Sequence, residues 1–540
     1  MNSFKPMLLT SLKSYDRAQF AKDVTAGIIV AIIALPLSIA LALASGVGPE
    51  AGIFTAIVAG FVISALGGSC VQIAGPTAAF ATIVAGIVAR DGLEGLMTAT
   101  ILAGVFLIIM GFCHFGSLIK FIPYTITTGF TSGIAVTIVI GQLKDFCGVT
   151  YPDGVKPIET MEKLKAFAEN FSMISPDALI VGGVSLAILI VSPLIFKKIP
   201  GSLIAVIVGI LMVQFLPLHV STIGNLYTIS NALPTLHLPV FDMKLIQSAI
   251  PNAFTIAVLA AIESLLSCVV ADGMINSKHR SDTELIAQGA GNIASALFGG
   301  IPATGAIART AANIKNGGRT PVAGIVHSIT LVIVLVVLMP FAGMIPMPTI
   351  AAILFLVAYN MCQWRTFVHL VRTAPKSDII VLFTTFVLTV VFDLVVAIEI
   401  GMVLACLLFI KRMSEETHAD SWVYVDDDSP AVDEHLQKLP LEIRVYEITG
   451  PLFFGAADAI EHIVVKDFTK CLVLRMRSVP TIDSTAMNAL QNLTKLCESK
   501  GITLVFSHVN EQPMKVMKKS GFVELVGEEN FCSNISDALK

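Results

Sequence analysis

The chain is 540 residues long, 55% hydrophobic and only 14% charged, where soluble domains carry about 25% charged residues. With a mean hydropathy of +0.82, it has too little polar surface to coat soluble globules of that length, so most of it must lie in lipid. A net charge of −4 argues against a nucleic-acid binder with a basic surface, and nine scattered cysteines without a Cys-x-x-Cys pair suggest neither a zinc site nor a disulfide framework.

Lys5, Lys13, Arg17 and Lys22 precede an apolar run too long for the core of a cleavable signal, so residues 1–22 read as a cytoplasmic N-terminal segment. Gly, Pro and charge punctuation then cut residues 23–412 into about fourteen spanning or half-spanning runs. In chain order they are 24–45, 51–66, 76–89, 95–113, 119–141, 175–195, 201–217, 251–271, 284–298, 303–315, 320–341, 348–362, 377–395 and 397–410. With the N-terminus cytoplasmic, basic residues favour that side by more than two to one. Beside the N-terminal four, Lys120, Lys197, Lys198, Lys278, Arg280, Lys315, Arg319, Arg365, Arg372, Lys376, Lys411 and Arg412 count on the inner side, and Arg90, Lys144, Lys156, Lys163, Lys165 and Lys244 on the outer. An even number of runs places both ends in the cytoplasm.

Two runs are unusual in matching ways. Ala65-Leu66-Gly67-Gly68 leads to Ala74-Gly75-Pro76-Thr77-Ala78-Ala79 at the third run, and Ala296-Leu297-Phe298-Gly299-Gly300 leads to Ile301-Pro302-Ala303-Thr304-Gly305 at the tenth. Each is a Gly-Gly break, a Pro, a Thr and small residues opening a short helix. An odd number of crossings separates them, so the halves of the chain would be inverted repeats. Short, interrupted segments in corresponding halves point to a transporter binding site. Two facing half-helix N-termini present free N–H groups and positive dipole ends, which suits an anion. The plainer alternative is that Gly and Pro only bend and pack the helices.

An ionisable group at bilayer depth costs about 2.5–3.5 kcal/mol and should face a cavity or a partner. Arg309, five residues past Thr304, would offer permanent positive charge to an anion. Glu263, in the middle of the eighth run, is a candidate proton carrier. The alternative is that the two pair as a structural salt bridge. Pro36 in Leu35-Pro36-Leu37-Ser38 either kinks the first run or shapes a cavity wall opposite the half-helices. Asp272, Asp393 and Glu399 read as interfacial anchors.

Beyond Lys411-Arg412 the composition becomes ordinary. Residues 413–438, with Asp426-Asp427-Asp428, read as an acidic linker, and 439–540 as a cytoplasmic α/β domain. Strands are expected at 441–448, 470–476 and 502–507. Helices are expected after 451–457, from an Asp483 cap, and over 511–520. No nucleophile, base or metal constellation points to an enzyme.

Leu35-Pro36-Leu37-Ser38-Ile39-Ala40, Gly75-Pro76-Thr77-Ala78-Ala79-Phe80, Ile262-Glu263-Ser264-Leu265-Leu266 and Ala306-Ile307-Ala308-Arg309-Thr310-Ala311 together resemble the sulfate permease (SulP) family, over essentially the full chain. The likeness extends to its bacterial C4-dicarboxylic acid transporter branch, and the tail resembles a STAS domain. The resemblance implies a polytopic helical membrane protein of about fourteen segments in seven-plus-seven inverted repeats, with core and gate domains. It places the anion between Gly75, Pro76, Thr77 and Ala78 on one side and Pro302, Ala303, Thr304 and Gly305 on the other. Arg309 matches a basic residue often found beside that anion, and Leu35, Pro36 and Ser38 would form the cavity wall. Glu263 falls where sodium-coupled bicarbonate members carry an Asp, and Ser267 where they carry a Thr, a departure that favours a proton over sodium. The STAS loop reads Asp483-Ser484-Thr485-Ala486, so Ser484 or Thr485 is a candidate phosphosite beside the simpler reading of helix capping.

The expectation is proton-coupled uptake of C4-dicarboxylates such as succinate, fumarate or aspartate, with sulfate or bicarbonate as the alternative. An anion channel and a membrane-anchored signalling protein are the readings from other classes. A homodimer in the bacterial inner membrane, a cytoplasmic partner of STAS, and no cofactor, metal or nucleic acid are further expectations.

Overall fold

The computed structural model describes residues 4–117, 123–152, 157–195, 200–239, 242–392, 394–421, 442–465 and 468–539. Lys120, Lys156, Lys197, Lys198, Asp393 and Asp426–Asp428 lie outside the described residues. The structure is a polytopic helical unit followed by a smaller α/β unit, and the two divide at Met402 and Val403.

All fourteen apolar runs fall on helices. They are Arg17–Ala44, Pro49–Leu66, Ala81–Phe112 for the third and fourth together, Tyr124–Cys147, Pro176–Ile195, Gly201–Phe215, Met243–Ile275, Ser281–Leu297, Ile307–Lys315, Val322–Ala342, Met347–Cys362, Lys376–Val391 and Leu394–Glu415. Among the described residues, eight helices are long and apolar enough to cross a membrane. The third and fourth runs are continuous except at Gly92, whose φ of +69° breaks the helix; only glycine adopts that conformation freely.

The first helix starts earlier than expected, at Arg17, because the Asp16 side chain accepts the Gln19 N–H at 2.6 Å and caps it there. Its start thus lies inside the segment expected to precede the membrane part.

Small residues let the helices approach closely, as lipid-embedded packing requires. A Cβ on Gly104 would stand 2.6 Å from the Gly289 carbonyl, and one on Gly289 would stand 2.5 Å from the Gly104 carbonyl. The fourth and ninth runs therefore cross backbone to backbone.

The second unit is built on a five-stranded sheet: β3 (His418–Ser421), β4 (Ile443–Thr449), β5 (Cys471–Ser478), β6 (Thr503–Ser507) and β7 (Phe531–Cys532), in that order. β3 is antiparallel to β4 and the other neighbours are parallel. Ile448, Leu474, Met476, Leu490, Phe506 and Phe522 fill the core between the sheet and the helices Ser484–Ser499 and Glu511–Lys519. Of the expected linker 413–438, residues 422–438 lie outside the described residues; within the rest, the helix Leu394–Glu415 runs on to Glu415 and His418–Ser421 is an edge strand. The helix expected after 451–457 is one turn, Asp458–Glu461.

Candidate functional site

The two matching segments meet. β1 (Ala74–Gly75) and β2 (Thr304–Gly305) pair antiparallel, Ala74 with Gly305 and Gly75 with Thr304. A residue before proline is driven to extended backbone, so Gly75-Pro76 and Ile301-Pro302 favour strand-like chain where a helix is about to begin. β1 passes through Pro76 and Thr77 into the turn Ala78–Phe80 and the helix Ala81–Phe112. β2 passes through Ala306 into Ile307–Lys315. Two half-helices thus start from one crossing.

The eighth run, Met243–Ile275, staples that crossing. The Thr77 hydroxyl donates to Glu263 Oε2 at 3.1 Å. The next residue, Ser264, accepts the Gly305 N–H at 3.1 Å and shares a 2.5 Å hydrogen bond with the Thr304 hydroxyl, which also donates to the Ala260 carbonyl at 3.1 Å. One turn on, Ser267 donates to Thr310 Oγ1 at 3.4 Å, and that oxygen accepts the Ile73 N–H at 3.0 Å. Glu263, Ser264 and Ser267 therefore touch both half-helices, through Thr77 on one and Thr304, Gly305 and Thr310 on the other.

Arg309 lies in the first turn of Ile307–Lys315 and is 2% exposed. Its Nη2 donates to the Pro76 carbonyl at 2.9 Å, while Nε and Nη1 have no hydrogen-bond partner among the described residues. Gly75 makes room for it, since a Cβ there would stand 2.4 Å from Nη1. Glu263 and Arg309 hold Thr77 and Pro76, not each other, so they are not the simple salt bridge of the alternative reading.

Pro302 and Ala303 form the leader into β2. The Ala303 N–H donates to Asn292 Oδ1 at 2.8 Å, and Asn292 Nδ2 donates to the Ala303 carbonyl at 2.9 Å. Leu35, Pro36 and Ser38 lie inside the helix Arg17–Ala44. The Ser38 carbonyl faces Gly52 so closely that a Cβ there would stand 2.1 Å away. Among the described residues, no hydrogen bond joins Leu35, Pro36 or Ser38 to Thr77, Thr304 or Arg309. In the second unit, Asp483 caps Ser484–Ser499 by accepting the Ala486 N–H at 2.9 Å, and it also takes the Phe454 N–H at 2.8 Å. Ser484 and Thr485 are exposed on that first turn.

Sequence reasoning missed several polar groups around the crossing. His327 is fully buried within electrostatic reach of Arg309, and neither ring nitrogen has a hydrogen-bond partner among the described residues. Glu284, Gln288 and Asn292 are fully buried on the ninth run. Their spacing of four residues marks one helix face and was the readable signal.

The sulfate permease family matches residues 20–385, and the STAS domain matches 438–538. YvdB of Bacillus subtilis, provisionally described as a sulfate transporter, is 38% identical over 531 residues, covering 96% of this chain and 97% of its own. The bicarbonate transporter BicA of Picosynechococcus is 33% identical over 536 residues, covering 96% and 94%. The transmembrane domain of a cyanobacterial BicA superposes with a TM-score of 0.63 at 28% identity, covering 73% of this chain and 98% of its own. The anion transporter SLC26A9 shares the fold, with a TM-score of 0.88 at 19% identity over 98% of this chain and 93% of its own.

Proposed function

The chain belongs to the sulfate permease family of anion transporters, and from that premise we propose that it is a secondary active carrier taking a small anion into the cell. The anion sits between Gly75–Ala78 and Pro302–Gly305, at the start of the two half-helices, with Arg309 supplying the charge. The observation that carries this reading is the Arg309 guanidinium: it is buried at the crossing, one donor is held by Pro76, and Nε and Nη1 are left for an acceptor. Charge-assisted bonds from guanidinium to oxyanion are among the strong ones, and half-helix dipoles add to them.

Sulfate and bicarbonate are the first substrates to test, because relatives similar over nearly the whole chain carry those descriptions. C4-dicarboxylates, favoured by the sequence resemblance, come next. Glu263 is the proposed proton carrier, and its bond to Thr77 ties its charge to the cap of the third run. Ser267 supports the same helix against Thr310. Residues 23–412 are the transport part, both termini are cytoplasmic, and the proposed membrane is the bacterial inner one. The second unit acts as a STAS domain in a homodimer, open to a cytoplasmic partner or to modification at Ser484 or Thr485.

The test is uptake into proteoliposomes of radiolabelled sulfate, bicarbonate and succinate, with imposed pH or sodium gradients. Saturable uptake with counterflow supports a carrier, while non-saturating flux would mean a channel. Glu263→Gln is expected to abolish pH-driven uptake and leave binding measurable. If driven uptake persists, Glu263 does not carry the proton. A chain lacking 439–540 that still transports would count against a purely signalling role.

A further inference from the structure

Both half-helices are reached through irregular leaders, 67–73 before β1 and 298–303 before β2. One helix holds both. Glu284, Gln288, Asn292 and Ser295 form a fully buried polar row along the inner face of Ser281–Leu297. At its start, Glu284 Oε2 accepts the N–H groups of Gly68 at 2.8 Å and Ser69 at 3.2 Å, and Oε1 accepts Gln72 Nε2 at 2.9 Å. Those residues are the leader of the third run. Gln288 Nε2 donates to Glu284 Oε1 at 2.9 Å, and Asn292 Nδ2 reaches the Gln288 carbonyl at 2.8 Å. At the far end, Asn292 grips both backbone groups of Ala303, at 2.8 and 2.9 Å, and Ser295 donates to the Ile301 carbonyl at 2.8 Å. Those are the leader of the tenth run. A cross-brace links the two: Gln72 lies directly under Gly305, where a Cβ would stand 2.1 Å from Gln72 Nε2.

We propose that Glu284, Gln288, Asn292 and Ser295 form a positioning column that fixes the register of the two half-helix N-termini and thereby sets anion affinity. The proposal rests on the anion site assigned above. The physical reason is rigidity. Eight residues of helix separate Glu284 from Asn292, a fixed rise of about 12 Å, so two otherwise irregular leaders are both referred to one rod. Every bond in the column is made away from water, where losing one partner leaves a buried group unsatisfied. None of the four side chains reaches the anion; they act through Ala303, Ile301, Gly68 and Gln72. Misplacing either half-helix moves the N–H groups and Arg309 off the anion while leaving the rest of the transport cycle in place.

The test uses the full-length protein in proteoliposomes and whichever of sulfate, bicarbonate and succinate the wild type takes up saturably. Glu284→Gln and Asn292→Leu are expected to raise KM by about tenfold or more, as loss of one or two buried hydrogen bonds implies. The maximal rate per folded transporter should stay within about threefold of wild type. Ser295→Ala, the smallest truncation in the column, is expected to raise KM by about threefold and covers the case where the larger changes prevent folding. Arg309→Ala is run in parallel. Unchanged KM in the Ser295 and Glu284 variants, with only less folded protein recovered, overturns the column while a raised KM in Arg309→Ala keeps the anion site. Unchanged KM in Arg309→Ala overturns the anion site itself.

Discussion

Gly75→Ala places one methyl group where the site has no room. The new Cβ would stand 2.4 Å from Arg309 Nη1 and 3.6 Å from Ala56 Cα. Ordinary contact distances are about 3.5–4.0 Å, so the guanidinium or the strand must move by roughly 1 Å. If Arg309 yields, it loses its bond to the Pro76 carbonyl, a charged hydrogen bond worth about 1.5–3 kcal/mol. If the strand yields, the Gly75–Thr304 pairing distorts, with an overpacking cost of about 1–3 kcal/mol. Either way the anion loses its cation or its half-helix, and affinity should fall roughly 10- to 100-fold. The assay is concentration-dependent uptake into proteoliposomes, with thermal unfolding of the purified protein to confirm the fold. Gly86→Ala is the internal control: it lies on the helix that β1 leads into, with nothing within 4 Å of the added methyl, and KM should not change. Wild-type KM in a well-folded Gly75→Ala protein would refute the placement of Arg309 at the anion.

Three other changes probe the scaffold. Asp23 is buried in the first helix and accepts Tyr15 Oη at 2.9 Å, Gln19 Nε2 at 2.9 Å, the Arg319 N–H at 2.9 Å and the Thr320 hydroxyl at 2.5 Å. Asp23→Ala orphans these donors at about 1–3 kcal/mol for each buried one; a clear drop in Tm is expected, and an unchanged Tm would show the cluster to be dispensable. Gly104→Leu drives a side chain into the Gly289 backbone and should lower the yield of folded protein in detergent by overpacking of about 1–3 kcal/mol or more; normal recovery would refute the close crossing. Asp483→Ala removes the cap of Ser484–Ser499, a loss of about 0.5–2 kcal/mol. Hydrogen exchange should speed up in the first turn of that helix while transport persists, and unchanged exchange would mean the cap contributes nothing.

What the sequence made legible follows from signal strength. A run of apolar residues is long and redundant, so each membrane helix announced itself, and the matched Gly-Gly, Pro and Thr segments marked the crossing. Glu263 and Arg309 stood out because charge inside an apolar run is rare. The β1–β2 pairing was invisible, since two residues cannot show an alternating pattern. The column leaves little trace in the sequence because Gln288 and Asn292 are uncharged, and Glu284 sits close to Arg280 and Asp282, where an acid reads as interfacial. His327 gives no signal because its closeness to Arg309 is in space and not in sequence. Gly92, at φ +69°, breaks the helix between the third and fourth runs, where the sequence reads two. His418-Ala419-Asp420-Ser421 reads as linker because a short polar edge strand has no apolar face to display.

The central claim is the location of the anion, and selenate, a heavier analogue of sulfate, reports it directly. A structure of the full-length protein with selenate bound, located by the anomalous scattering of selenium, should show the ion between Thr77–Ala78 and Thr304–Gly305. One oxygen should lie about 2.7–2.9 Å from the Arg309 guanidinium, and the signal should vanish in Arg309→Ala. Selenate well occupied elsewhere in the membrane unit, with Arg309 turned to a protein partner, would contradict the account.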